Sequence, residues 1–193
     1  MKRCALGEPV AQPSAAEREA RSTSKVEQQT VSDTADTAAV SWTGGKDCNL
    51  ALLTAWRDPS LHVKSLVCFR PEDAKFRAHP IVLVEAQAKS LGLQLHHVLI
   101  PKGTTDYKTA YVSGMRKLRE EHGIMVIATG DMDLVGDMSR NWIEECGEEA
   151  GIRAFLPLWQ ADRRECLARL LAEGFVIKAR RRTDFTLLTA CRV

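Results

Sequence analysis

The segment Ala38-Ala39-Val40-Ser41-Trp42-Thr43-Gly44-Gly45-Lys46-Asp47-Cys48 constrains this chain more than any other. A short apolar run leads into two adjacent glycines. A helical pattern of Leu50, Leu53, Ala55 and Trp56 follows. That order reads as strand, tight turn and helix N-terminus. The first N–H groups of a helix lack intrahelical acceptors, and the helix dipole adds partial positive charge there. Adjacent glycines let the backbone approach an anion with no Cβ in between. Lys46 adds a cation, Thr43 a hydroxyl and Asp47 a carboxylate able to face a metal. The segment therefore predicts a phosphate site. Spacing excludes two other phosphate loops. The pattern G-x-x-x-x-G-K-[ST] needs Gly and Ser/Thr where Val40 and Asp47 stand. The dinucleotide fingerprint G-x-G-x-x-G is absent.

The 193 residues suffice for one domain with a sizeable core. A net charge of +2 gives no electrostatic footprint for direct nucleic-acid contact or for an anionic membrane. No apolar run reaches bilayer-spanning length. Six cysteines are scattered, at Cys4, Cys48, Cys68, Cys146, Cys166 and Cys191, without a C-x-x-C pair or zinc-type spacing. That usage predicts reduced thiols and a cytoplasmic location. Residues 1–36 are rich in Ala, Ser, Thr, Glu and Gln. They predict a disordered tail, because they carry too little apolar surface to offset ordering entropy.

From Thr37 onward short apolar runs alternate with helical periodicity. Strands are expected at Ala38–Trp42, Val63–Phe69, Leu93–Ile100, Ile124–Thr129 and Phe175–Ile177. Helices are expected at Cys48–Arg57, Pro80–Lys89, Tyr107–His122, Asn141–Glu149 and Arg163–Ala172. Gly92, Gly123, Gly151 and Gly174 serve as stops, and Asp162 with Glu165 as a capping box. This alternation predicts an α/β fold with a doubly wound parallel sheet of about five strands. Ligands bind such sheets at strand carboxyl ends, near the point where strand order reverses. The glycine loop and Gly130-Asp131 both fall at such ends; if strands one and four are central neighbours, the two face one crevice. The expected organisation is a tail over residues 1–36, a nucleotide-binding domain over 37–178, and a divergent tail over 179–193.

The loop resembles the S-G-G-x-D-S loop of the PP-loop ATP pyrophosphatases, with Thr43 and Cys48 in the two Ser positions. A narrower resemblance, to the diphthine–ammonia ligase family of diphthamide synthesis, rests on four segments. These are Trp42–Cys48, Ala78-His79-Pro80, Thr129-Gly130-Asp131 with Arg140-Asn141-Trp142 and Glu145-Cys146, and Leu156-Pro157-Leu158-Trp159. The resemblance implies ATP and Mg²⁺ as cofactors, and AMP transfer with release of pyrophosphate. It implies translation elongation factor 2 as protein substrate and ammonia as the nitrogen donor. It places Thr43, Gly44, Gly45, Lys46, Asp47, Cys48, His79 and Gly130 around the nucleotide. Lys46, Asp47 and Asp131 would be catalytic, with Asp47 on Mg²⁺ and Arg140 and Glu145 toward substrate. Simpler readings stand beside these: a turn Asp at 131, an i,i+4 pair between Arg140 and Glu144, and core roles for Trp142 and Cys146. Asp133 and Asp137 could join Asp131 in gathering magnesium through water. After Gly174-Phe175 the family's G-E-x-G-E-[FY]-H-[ST] segment is absent, and the expectation is a truncated substrate side. Two alternatives follow: a nucleotide-binding module without ligase activity, and another PP-loop adenylating enzyme.

Overall fold

The computed structural model describes residues 29, 31–72, 80–182 and 185–192. The tail expected over residues 1–36 lies mostly outside them, as does His79. Gln29, within that tail, donates through Nε2 to the Leu61 carbonyl (2.8 Å) and accepts from the Val63 N–H (3.1 Å).

Strand β1 (Asp36–Ser41) leads into helix α1 (Lys46–Arg57). Strand β2 (Leu61–Pro71), helix α2 (Ile81–Leu91) and strand β3 (Gln94–Ile100) follow. Next come α3 (Tyr107–His122), β4 (Val126–Ala128), α4 (Trp142–Ala150), β5 (Arg153–Phe155) and α5 (Arg163–Ala172). Strands β6 (Phe175–Arg182) and β7 (Phe185–Arg192) close the described chain.

The five-stranded sheet is parallel in the order β3-β2-β1-β4-β5. The expected α/β class is observed, and β1 and β4 are neighbours, which meets the condition for a shared crevice. Alternation along β1 sends Ala38 and Val40 to one face and Ala39 to the other. On the first face Leu52 and Ala55 of α1 and Val84 and Ala88 of α2 cover the sheet. On the second, Val112 and Met115 of α3 and Ile143, Cys146 and Ala150 of α4 do so. Each such large aliphatic side chain, taken fully out of water, contributes about 1.5–3 kcal/mol. Alanines in β1 and α1 leave no bulk between them, so the first helix lies close to the central strand.

A third cluster joins Leu50 and Ala51 of α1 to Met132, Leu158, Cys166, Leu170 and Phe175. Helix α1 is thereby buried on two sides, between the sheet and α5. Here two expectations need correction. The fifth strand of the sheet is Arg153–Phe155, too short at three residues to be read from its pattern. The strand expected at Phe175–Ile177 instead runs to Arg182 and pairs antiparallel with β7 in a separate two-stranded sheet. A domain boundary at residue 178 therefore falls inside β6.

His96 of β3 and His122 at the end of α3 lie with ring centroids 4.1 Å apart. The His96 pKa is lowered from its ordinary 6.5, first by burial and then by repulsion from His122 and His97. The folded state therefore resists a proton that the unfolded chain accepts below about 6.5. Stability is complete above that pH and declines as pH falls toward the lower folded value. Melting temperature should drop between about pH 7.5 and 5.5, and a His96→Gln chain should show a flatter profile. An unchanged slope in that variant would remove His96 from the pH response.

Candidate functional site

The phosphate loop spans the gap from β1 to α1. Gly44 has φ +78°, a left-handed conformation that glycine adopts without strain. Gly45 is the N-cap of α1 and brings no side-chain cap, so the first N–H groups of the helix are left to an outside acceptor. Thr43 is exposed at the loop crest.

The loop is held from within. The Gly45 carbonyl accepts from Asn49 Nδ2 (2.8 Å), from the Asn49 N–H (3.2 Å) and from the Cys48 thiol (3.1 Å). Thr43 Oγ1 donates to Cys48 Sγ (3.9 Å). Burial pushes the Cys48 thiol up to about 11, so it remains a neutral donor. The thiol that replaces a Ser hydroxyl thus faces the loop's own backbone. Its contribution to an anion falls to the Cys48 N–H. Sequence reading missed Asn49, because the carbonyl it holds is positioned only by the folded turn.

Lys46 Nζ and Asp47 Oδ1 form an ion pair at 2.5 Å, with side chains 21% and 33% exposed. Both project from the first turn of α1, beside the unfilled N–H groups. A cation and a carboxylate therefore stand at one rim of the same uncapped turn.

Gly130, after β4, brings the second strand end to this turn. A Cβ there would sit 2.5 Å from the Asp47 carbonyl carbon and 2.7 Å from the Cys48 nitrogen. Only a glycine lets the two backbones meet. Asp131 follows, and its Oδ2 accepts from Asn141 Nδ2 (2.9 Å). Asn141 caps α4, accepting through Oδ1 from the Ile143 and Glu144 N–H groups. The Asp131 carboxylate is thus oriented by a side chain that is itself fixed by a helix start. Phe69, Tyr111 and Trp142 pack close by, with Phe69 stacked on Tyr111 (4.6 Å) and Tyr111 edge-on to Trp142 (5.5 Å). Burial is the main cause that raises the Tyr111 phenol to about 12; Asp131 is a smaller one.

The remaining sequence candidates lie elsewhere. Arg140 pairs with Glu148 (2.8 Å) and Glu144 (3.7 Å), and Glu145 with Lys108 (2.8 Å). The Glu148 carboxylate raises Arg140, and Lys108 lowers Glu145. Arg140, Glu145 and Glu148 line an exposed hollow of about 360 Å³ with Lys108, Ser139 and Glu149. The structure brings Arg140 and Glu145 together there, engaged with each other's neighbours. Asp133 is paired with Arg163. Among the described residues no group of three His, Cys, Asp or Glu side chains is placed to hold a metal, so the expected carboxylate trio does not form. Leu158 is fully buried, which makes the Pro157–Trp159 segment packing at that position.

The five-stranded parallel α/β sheet, with a glycine turn on one central strand and a glycine contact from its neighbour, is consistent with a PP-loop-type fold. The chain belongs to the family described as diphthamide synthase N-terminal domain, which it matches over residues 36–154. No curated protein matches the chain significantly. Among solved structures it is similar to a predicted subunit of tRNA methyltransferase from Methanocaldococcus jannaschii (19% identity, 74% of this chain and 79% of that one, TM-score 0.48). It is also similar to the U34-tRNA thiolase NcsA of Methanococcus maripaludis (16% identity, 81% of this chain and 61% of that one, TM-score 0.46). Among the described residues no helix is long and apolar enough to cross a membrane.

The Gly130 contact gives a direct test. A Gly130→Ala chain should lose about 1–3 kcal/mol of stability, because both clashing partners are backbone atoms that cannot swing aside. Urea denaturation measures this. Wild-type stability in the variant would mean that the two strand ends are not in contact.

Proposed function

We propose that this chain is an ATP-dependent amide ligase that converts diphthine to diphthamide on translation elongation factor 2 through an acyl-adenylate. The observation that carries the reading is the glycine turn and uncapped start of α1, with Lys46 and Asp47 at its rim, in a chain of the diphthamide synthase family. A carboxylate is a poor electrophile, since its leaving group would be oxide. Its oxygen attacks the α-phosphorus of ATP, the bond to the β-phosphate breaks, and pyrophosphate leaves. Ammonia then attacks the acyl carbon, loses a proton, and AMP departs with the electron pair.

This chain's part is to hold the triphosphate in line and to neutralise charge as it develops. The backbone of Gly44, Gly45 and Cys48 with the Thr43 hydroxyl would hold the terminal phosphates, and Lys46 would leave Asp47 for a phosphate oxygen. Mg²⁺, when bound, would supply positive charge that offsets that of the phosphates. The donor set suits it, because Mg²⁺ takes one or two carboxylates with phosphates and water rather than an all-protein cage. Asp47 would be the residue to hold it, and Asp131 follows the Gly130 contact on the neighbouring strand, its carboxylate bonded to Asn141. A cytoplasmic location belongs to this reading, since the substrate is a translation factor.

The test combines the purified chain, ATP, Mg²⁺, ammonium and elongation factor 2 carrying diphthine. AMP, pyrophosphate and the amide should appear together. Gly45→Asp should abolish ATP binding in calorimetry, and Lys46→Ala should lower kcat/KM about 10²-fold. ATP binding without AMP release would leave a nucleotide-binding module. AMP release without the amide would redirect the adenylate to another acceptor.

A further inference from the structure

We infer that Gln87 of α2 is a positioning residue that sets the open conformation of the phosphate loop. Three observations converge on it. Gln87 Nε2 donates to the Gly44 carbonyl at 3.2 Å, tying the loop to a helix 43 residues away in sequence. Its Oε1 lies 2.2 Å from where a Gly44 Cβ would be, so the amide occupies the space that the left-handed glycine leaves. That Oε1 is buried and has no partner. An orphaned buried acceptor is disfavoured, and such atoms persist where something else over-determines the geometry. Here the Nε2 bond fixes which end of the amide faces the carbonyl.

The consequence concerns the direction of the loop's dipoles. With the Gly44 carbonyl engaged backward by α2, its oxygen is kept from the side on which an anion would sit. Without that bond, the carbonyl is free to rotate and present negative charge to the same place. Gln87 therefore acts through the loop backbone and needs no contact with the bound group. The Phe69, Tyr111 and Trp142 cluster and the Arg140 hollow have no comparable link to the loop.

The inference rests on the nucleotide reading above only for its affinity arm. Two variants test it in the full chain. Gln87→Leu keeps bulk and removes the donor. In the free protein, amide hydrogen exchange at Asn49, whose N–H bonds the Gly45 carbonyl within the loop, should quicken about tenfold, with exchange in β2 unchanged. ATP·Mg²⁺ affinity should weaken by a similar factor. Gln87→Glu places a carboxylate against the Gly44 carbonyl. Relative to wild type at each pH, its ATP affinity should be poor near pH 8 and recover toward pH 5, where the protonated acid can donate as the amide does. Unchanged loop exchange in both variants, or an affinity ratio flat with pH, overturns the inference. A wild-type chain that binds no ATP would sink the nucleotide reading instead, and the exchange measurement would still decide the role of Gln87.

Discussion

The meeting of Gly130 with the Asp47–Cys48 backbone is the constraint on which the site depends. Two strands of a parallel sheet lie about 5 Å apart. The loops leaving them must then diverge or touch. Here β1 and β4 are neighbours, and the chain leaving β4 runs against the first turn of the helix that leaves β1. Any side chain at 130 would push that turn outward, together with the N–H groups it presents. The small residues of β1 serve the same end, since Ala38 and Ala39 let α1 and α3 settle near the sheet. Burial of α1 on a second side by α5 then prevents it from tilting to relieve the contact.

Within that frame, the loop satisfies its own polar groups so that few compete with a ligand. The Gly45 carbonyl is saturated by Cys48 and Asn49, and the Gly44 carbonyl by Gln87. What is left pointing outward is mostly donor: the first N–H groups of α1 and the Lys46 ammonium. Among the described residues, the buried polar atoms lacking partners are Trp42 Nε1, Ser65 Oγ and Gln87 Oε1. Trp42 adjoins the loop and Gln87 touches it. Unsatisfied groups gathered at a turn mark a place whose geometry is set by something other than stability.

Much of this was legible in the sequence, and the reasons are specific. Helices Tyr107–His122 and Arg163–Ala172 were read residue for residue, the first from an apolar stripe stopped at Gly123, the second from the Asp162–Glu165 capping box and the stop at Gly174. The β1–α1 turn was legible because glycine pairs have few structural alternatives. Strand β5 was not, since three residues carry no periodicity. Of the β6–β7 hairpin only Phe175–Ile177 was read as a strand and residues 179–193 as a tail, since a strand this polar is legible only once its pairing partner is known. Asn141 was passed over between Arg140 and Trp142, although Asn before a helical pattern is a favoured cap. Gln87 and Asn49 carry no signal in one dimension, because both act on a carbonyl whose position only the fold supplies.

The Lys46–Asp47 pair shows how such a site can be stable when empty and still receptive. An ion pair between adjacent, partly exposed side chains is worth about 0–1 kcal/mol. A charge-assisted hydrogen bond to a phosphate oxygen is worth about 1.5–3 kcal/mol. The exchange of one for the other is therefore downhill, provided that the phosphate reaches the turn. On the proposed reading, Lys46 leaving would uncover the Asp47 carboxylate beside the phosphates, where a divalent cation would have most to neutralise. In the free chain the same pair keeps Lys46 over the turn rather than extended into solvent, and so reduces the entropy lost on binding. A weak pair suits this role better than a strong one, since a fully buried ion pair at this rim would hold both charges against the incoming anion.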